Sequence, residues 1–187
     1  MADAPIWGYI EGYYGRVFDW DGRAGLIDHL SCIGANAYLY APKEDAFHRR
    51  DWRLPYPAPW RRRFAELASK AHRRGVDLVP GMAPGLSFDY LSARDYGILL
   101  RKLHAFRDLG CRTLALLMDD IPPSLPENCR GAFRTLGEAH GMLLRKLRRD
   151  LEGRRGRGGP ELWFCPTVYT GQFASGPVAT DPYLADL

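Results

Sequence analysis

Two adjacent carboxylates, Asp119 and Asp120, close the apolar run 114–118, and Ile121 and two prolines follow them. Successive side chains along a strand point to opposite faces. Two neighbours can therefore share one site only where the strand is ending, which Pro122 and Pro123 mark. Close carboxylates push one pKa up. One can then stay a proton donor while the other remains anionic, an arrangement suited to acid-catalysed bond cleavage. A second chemistry is a divalent cation such as magnesium held by both groups. It would want further carboxylates or histidines at neighbouring strand ends. Glu44 and Asp45 could serve, but Lys43 beside them argues for ion pairing or substrate contact. The plainer alternative is a turn cap, a common use of Asp. The histidines at 29, 48, 72, 104 and 140 form neither H-x-H nor H-E-x-x-H, and most fall in helical patterns. G-x-S-x-G is absent.

Elements to position this pair are readable. Strands are expected at 5–12, 35–42, 76–85, 112–120 and 161–169, and helices at 22–34, 58–75, 92–110 and 129–153. Ser92 and Asp95 suggest a capping box, and Gly75 and Gly110 close helices. This β-α alternation implies parallel strands with helical crossovers. The glycines at 8, 12 and 15 fit neither G-x-G-x-x-G nor a P-loop, which disfavours a doubly wound nucleotide fold. The alternative is a (β/α)8 barrel, whose function gathers at the C-terminal strand ends. Those ends read EGYYG, APKED, MAPG, MDDI and CPTVY. Tyr13, Tyr14, Tyr40 and Tyr169 lie at or near them, and Trp52 and Trp60 flank the next loop. Such aromatic faces suit sugar stacking, although for any one of these residues ordinary core and loop packing is the expectation.

The 187 residues provide for one domain, 1–187. The net charge is +4, much of it in the arginine-rich stretch 144–159, where 153–159 is the best linker candidate. No aromatics interleave there, so a solvated helix end is expected rather than a nucleic-acid surface. Cys32, Cys111, Cys129 and Cys165 have neither zinc nor disulfide spacing, which suits reduced thiols in a cytoplasmic protein. No signal peptide is seen, and no apolar run approaches the roughly 20 residues that span a bilayer.

The segments GYIEGYYGRVFDW, ANAYLYAPKEDAFHRRDWRLPY, MAPGLSF, LALLMDDI and CPTVY, in this order, resemble the catalytic domain of the O-GlcNAcase family, glycoside hydrolase family eighty-four. The resemblance runs over residues 6 to 169. It implies a retaining β-N-acetylglucosaminidase that works by substrate assistance, without a cofactor or metal, on a glycoprotein or glycan bearing β-GlcNAc. By motif position, Asp119 would polarise the acetamido group, and Asp120 would act as acid and then base. Gly12 would offer its carbonyl and Lys43 would bind a ring hydroxyl. Tyr14 and Tyr169 would line the acetamido and anomeric region, and Cys165 the pocket wall. Two departures leave these groups in place: VFDW stands for a proline–tryptophan pair, and Val168 for an acidic residue. The family's barrel has three further strands, with a tryptophan, asparagine and aspartates that clamp the sugar. No counterpart follows Tyr169, so a barrel of about five strands and four helices is expected, its acid/base pair present and its pocket incomplete, with weak or no activity as an alternative. Its open fifth strand would be an edge for self-association.

Overall fold

The computed structural model describes residues 5–152 and 159–187. Five parallel strands form one sheet: β1 (Gly8–Glu11), β2 (Ala37–Tyr40), β3 (Asp77–Met82), β4 (Thr113–Leu117) and β5 (Glu161–Cys165). Their spatial order is their chain order. The sheet is thus wound in one direction with no switch point, which is barrel-type (β/α) winding and not the doubly wound kind. Between the strands run α1 (Trp20–Cys32), α2 (Ala58–Arg73), α3 (Ala93–Asp108) and α4 (Leu136–Leu151). Among the described residues β1 and β5 each have one unpaired edge. No described helix is long and apolar enough to cross a membrane.

The period of two along each strand sorts the core. Tyr38, Tyr40, Leu78, Leu114 and Leu116 pack with the helices. Leu39, Ala41, Val79, Ala115 and Leu117 form a smaller layer on the opposite face, with Trp163 and Cys165 against it. Strands buried on both faces read as apolar runs, as β2, β3 and β4 do.

Helix boundaries follow their caps. Gly34, Gly75 and Gly110 take positive φ just past α1, α2 and α3, a conformation that favours glycine. Asp19 caps α1 by accepting from the Gly22 N–H at 2.7 Å, so that helix begins two residues earlier than its apolar pattern suggests. The expected capping box at α3 is half formed. Ser92 accepts from the Asp95 N–H, but the Asp95 carboxylate pairs with Arg53 instead of returning to the cap. The expected helix 129–153 begins only at Leu136. Thr135 accepts from the Glu138 N–H, and Glu138 reaches back to the Arg134 N–H, which sets the start there. Residues Glu127–Cys129 form a separate 3-10 turn. The basic stretch begins as the exposed end of α4, and residues 153–158 of the expected linker lie outside the described residues. The tail adds no described strand, but it does form a short helix, α5 (Pro182–Asp186), against α4.

The long β2–α2 loop is tied down from below by Lys102 of α3. Its buried ammonium donates to the carbonyls of Phe47 at 2.6 Å, Trp52 at 2.8 Å and Leu54 at 2.7 Å. Tyr40, Trp52 and Trp60, candidates for sugar stacking, belong to this core: Trp52 is fully buried, and Trp60 stacks on Tyr56 at 3.7 Å. Replacing Lys102 by Met strips three carbonyls of their donor, at roughly 1 kcal/mol or more each. We expect Lys102→Met to lose about 3 kcal/mol in urea denaturation and to expose residues 43–56 to proteases. An unchanged midpoint and cleavage pattern would refute that role.

Candidate active site

The aspartates lie where β4 ends, and one cation joins them. The Lys43 Nζ is 3.1 Å from Asp119 Oδ2 and 2.8 Å from Asp120 Oδ2. The lysine side chain is 5% exposed, against 20% and 34% for the aspartates. Lys43 reaches this point because the β1–β2 pairing runs on past both strands. The Ala41 N–H donates to the Glu11 carbonyl at 3.1 Å, and the Lys43 N–H to the Tyr13 carbonyl at 3.3 Å. The same continuation brings Tyr14 alongside, and its hydroxyl donates to Asp120 Oδ2 at 3.2 Å.

Of two residues to which the sequence assigned no role, Arg49 joins the cluster and His48 is buried in the same loop. Arg49 donates to the Tyr14 hydroxyl at 2.8 Å and to the Asp120 carbonyl at 3.3 Å. His48 is fully buried, and its Nδ1 lies 2.8 Å from the Gly81 carbonyl of β3. A carbonyl only accepts, so Nδ1 carries the proton and Nε2 presents a lone pair. That Nε2 and Asp119 Oδ1 are buried without a partner. Buried polar atoms are rarely left unpaired, which suits a site built to receive polar groups.

The electrostatics correct the expectation of one raised carboxyl. The hydrogen bond from Lys43 holds the Asp120 carboxyl below its usual range; burial opposes this, while the Lys43 charge, the Tyr14 hydrogen bond and Arg49 add to it. Burial pulls the Lys43 ammonium down, but the Asp120 and Asp119 carboxylates outweigh it and raise its pKa. Without ligand, Asp120 is ionised at neutral pH, because a cation now sits against both carboxylates.

Of the carboxylates that a divalent-cation site would borrow, one is engaged and the other exposed. Asp45 accepts from the Tyr40 hydroxyl at 2.7 Å and the Tyr56 hydroxyl at 2.9 Å, and Glu44 is exposed. Among the described residues no three His, Cys, Asp and Glu side chains cluster as metal ligands. Glu11, at the end of β1, is likewise structural, in a bidentate ion pair with Arg23.

A family profile described as beta-N-acetylglucosaminidase matches residues 7–187. The chain belongs to that family. It is 33% identical over 178 residues to Protein O-GlcNAcase of Rattus norvegicus, and equally to that of Mus musculus, covering 95% of this chain. It spans about 19% of the length of each. It is similar in structure to an O-GlcNAc hydrolase variant from Thermobaculum terrenum, with a TM-score of 0.82 and 32% identity over 87% of this chain and 35% of that one. It is similar also to CpGH84B, with a TM-score of 0.82 and 28% identity over 97% of this chain and 30% of that one. The resemblance read from the motifs therefore holds.

Of the positions that likeness to beta-N-acetylglucosaminidases brings forward, Asp119, Asp120, Lys43 and Tyr14 form one connected cluster. Gly12 sits half-buried just past β1, and no donor among the described residues reaches its carbonyl. Cys165 ends β5 half-buried, and burial, with the Asp119 charge behind it, pushes its thiol up to about 11. At that value the thiol is neutral at physiological pH and is not a nucleophile. Tyr169 stands apart: it is 51% exposed, lies edge-on to Phe173 and hydrogen-bonds to neither aspartate among the described residues.

Two measurements follow. Replacing Lys43 by Met should raise the Asp120 carboxyl pKa in carbon-13 NMR titration, because the main group holding it down is gone; an unmoved titration would reject that cause. Stability should also fall on mild acidification. Burial holds His48 at about 4, below its unfolded value of about 6.5. Above about 6.5 both states are neutral. Between about 6.5 and 4 only the unfolded chain takes the proton, at about 1.4 kcal/mol per pH unit. Going from pH 7 to pH 5 should cost about 2 kcal/mol through His48 in chemical denaturation, read as the difference between the wild-type profile and that of His48→Gln, and parallel profiles would contradict its burial.

Proposed function

We propose that residues 1–187 act as one catalytic domain that hydrolyses β-linked N-acetylglucosamine by a substrate-assisted, retaining mechanism. The observation that carries this reading is the joint grip of Lys43 on Asp119 and Asp120 at the C-terminal end of a barrel strand. Asp119 offers Oδ1, buried and unpartnered, to accept the acetamido N–H. That hydrogen bond makes the acetamido oxygen a better nucleophile toward the anomeric carbon. As it attacks, the bond to the leaving oxygen breaks and Asp120 gives that oxygen its proton. Water then attacks the same carbon, the bond to the acetamido oxygen breaks, and Asp120 takes the proton the water gives up. Two inversions leave the β configuration unchanged.

Asp120 must be protonated at the first step, yet Lys43 keeps it ionised in the free chain. A sugar hydroxyl that takes over a Lys43 hydrogen bond, in a site it also dries, removes the cause of that ionisation. Binding thereby creates the acid. Gly12 and Cys165 would border the sugar, with Tyr169 on the exposed loop beside it. The substrate class is a glycoprotein or glycan terminus bearing β-GlcNAc, and the name O-GlcNAcase borne by the rat and mouse relatives favours the protein-linked form. Four free cysteines favour a reducing, cytoplasmic setting.

Two β-GlcNAc glycosides test this, one with an alkyl and one with a nitrophenyl leaving group. We expect EDTA-insensitive hydrolysis of both. Asp120→Asn should lower kcat on the alkyl glycoside about 10²- to 10⁴-fold, and much less on the nitrophenyl one, which leaves without protonation. Asp119→Asn should depress both alike. Equal losses from Asp120→Asn on both glycosides would reject its acid role, and EDTA-sensitive phosphatase activity would overturn the sugar reading.

A further inference from the structure

The β4–β5 ladder ends in an unusual exchange of partners. Its last backbone bond runs from the Met118 N–H to the Cys165 carbonyl, at 2.9 Å. In a continuing parallel ladder the Thr167 N–H would donate next to the Met118 carbonyl. Instead that N–H donates to the Tyr183 hydroxyl oxygen at 3.0 Å, and the Thr167 hydroxyl takes the Met118 carbonyl at 2.7 Å. A side chain has replaced the backbone donor one residue before Asp119.

Tyr183 is held by a further buried chain. Its hydroxyl lies 2.8 Å from His140 Nδ1 on α4, and His140 Nε2 lies 2.7 Å from the Tyr90 hydroxyl. Tyr90, His140, Thr167 and Tyr183 are all buried. Burial pushes the His140 imidazole down to about 3, so it is neutral. One ring nitrogen then donates, the other accepts, and the two tyrosine hydroxyls match both. Close packing fixes the chain's far end. A Cβ on Gly137 of α4 would lie 2.0 Å from the Tyr183 carbonyl oxygen, so α5 can seat there only against glycine.

We propose that Tyr183, backed by His140 and Tyr90, is a positioning residue for the aspartate pair: by diverting the Thr167 N–H it hands the Met118 carbonyl to the Thr167 hydroxyl and so sets the direction in which Asp119 and Asp120 leave β4. The alternative geometry shows why this matters. An extended ladder would send the two side chains to opposite faces. Releasing the strand at Met118 lets both carboxylates reach Lys43. The inference rests on the reading of that pair as the reacting carboxylates.

The test uses the full chain with Tyr183→Phe, Thr167→Val and Thr167→Ser. Tyr183→Phe and Thr167→Val should lower kcat on a β-GlcNAc glycoside about ten- to a hundredfold with KM nearly unchanged, the size expected for displaced reacting groups. Thr167→Ser keeps the hydroxyl and should restore kcat. Independently of any substrate, the Asp120 carboxyl should titrate higher in Tyr183→Phe and Thr167→Val, as its contact with Lys43 loosens, and normally in Thr167→Ser. Folded Tyr183→Phe or Thr167→Val protein with unaltered kcat and an unaltered titration would overturn the proposal. Should the wild-type chain hydrolyse no glycoside, the glycosidase reading falls while the titration still decides the positioning. Should Tyr183→Phe fail to fold, the two Thr167 variants decide it.

Discussion

One ammonium group makes the rest of the site possible. Two carboxylates on consecutive residues would repel at the end of a buried strand, and Lys43 removes that cost by pairing with both. Its position comes from the sheet: the β1–β2 pairing extends to the Lys43 N–H, while Lys102 pins the loop that follows. Arg49 then uses the same loop to brace Tyr14 and the Asp120 backbone. The cluster is a charge-balanced unit before any ligand arrives.

Much of the architecture was legible in the sequence, because strands buried on both faces read as apolar runs and glycines past α2 and α3 mark where helices stop. The pair itself was legible from its place at the end of an apolar run, before two prolines. What the sequence misjudged was its protonation. Neighbouring carboxylates can be counted along a chain, but the cation that keeps Asp120 ionised pairs with Asp119 as well across 76 residues of sequence. His48 and Arg49 escaped notice for a related reason: they lie in an irregular loop where no periodicity marks a direction. Tyr183 was harder still. Its role depends on α5 seating against a glycine of α4, a contact between surfaces that no local pattern announces.

Side chains serve as partners to backbone carbonyls at three places where this wall turns into loops. His48 takes the Gly81 carbonyl, Thr167 takes the Met118 carbonyl, and Lys102 takes three loop carbonyls. Each substitution satisfies a buried acceptor while letting the chain leave its extended path, which a ladder bond would not allow. Unsatisfied, these carbonyls would be costly in a dry interior. The loops that carry chemistry are therefore fixed by the same bonds that let them bend away from the sheet.

That rigidity bears on how the acid arises. A carboxylate held by an ammonium, a phenol and the field of an arginine is a poor proton donor. Moving the backbone to raise its pKa would forfeit the alignment that reaction needs. Exchanging one hydrogen-bond partner costs no backbone movement. Lys43 is the group with such freedom, since its ammonium has three protons and two anionic partners. On the proposed reading a sugar hydroxyl can draw it away from Asp120 while it keeps its contact with Asp119. On that reading the scaffold can then remain still while the charge state changes, and substrate, rather than solvent pH, would set when the acid forms.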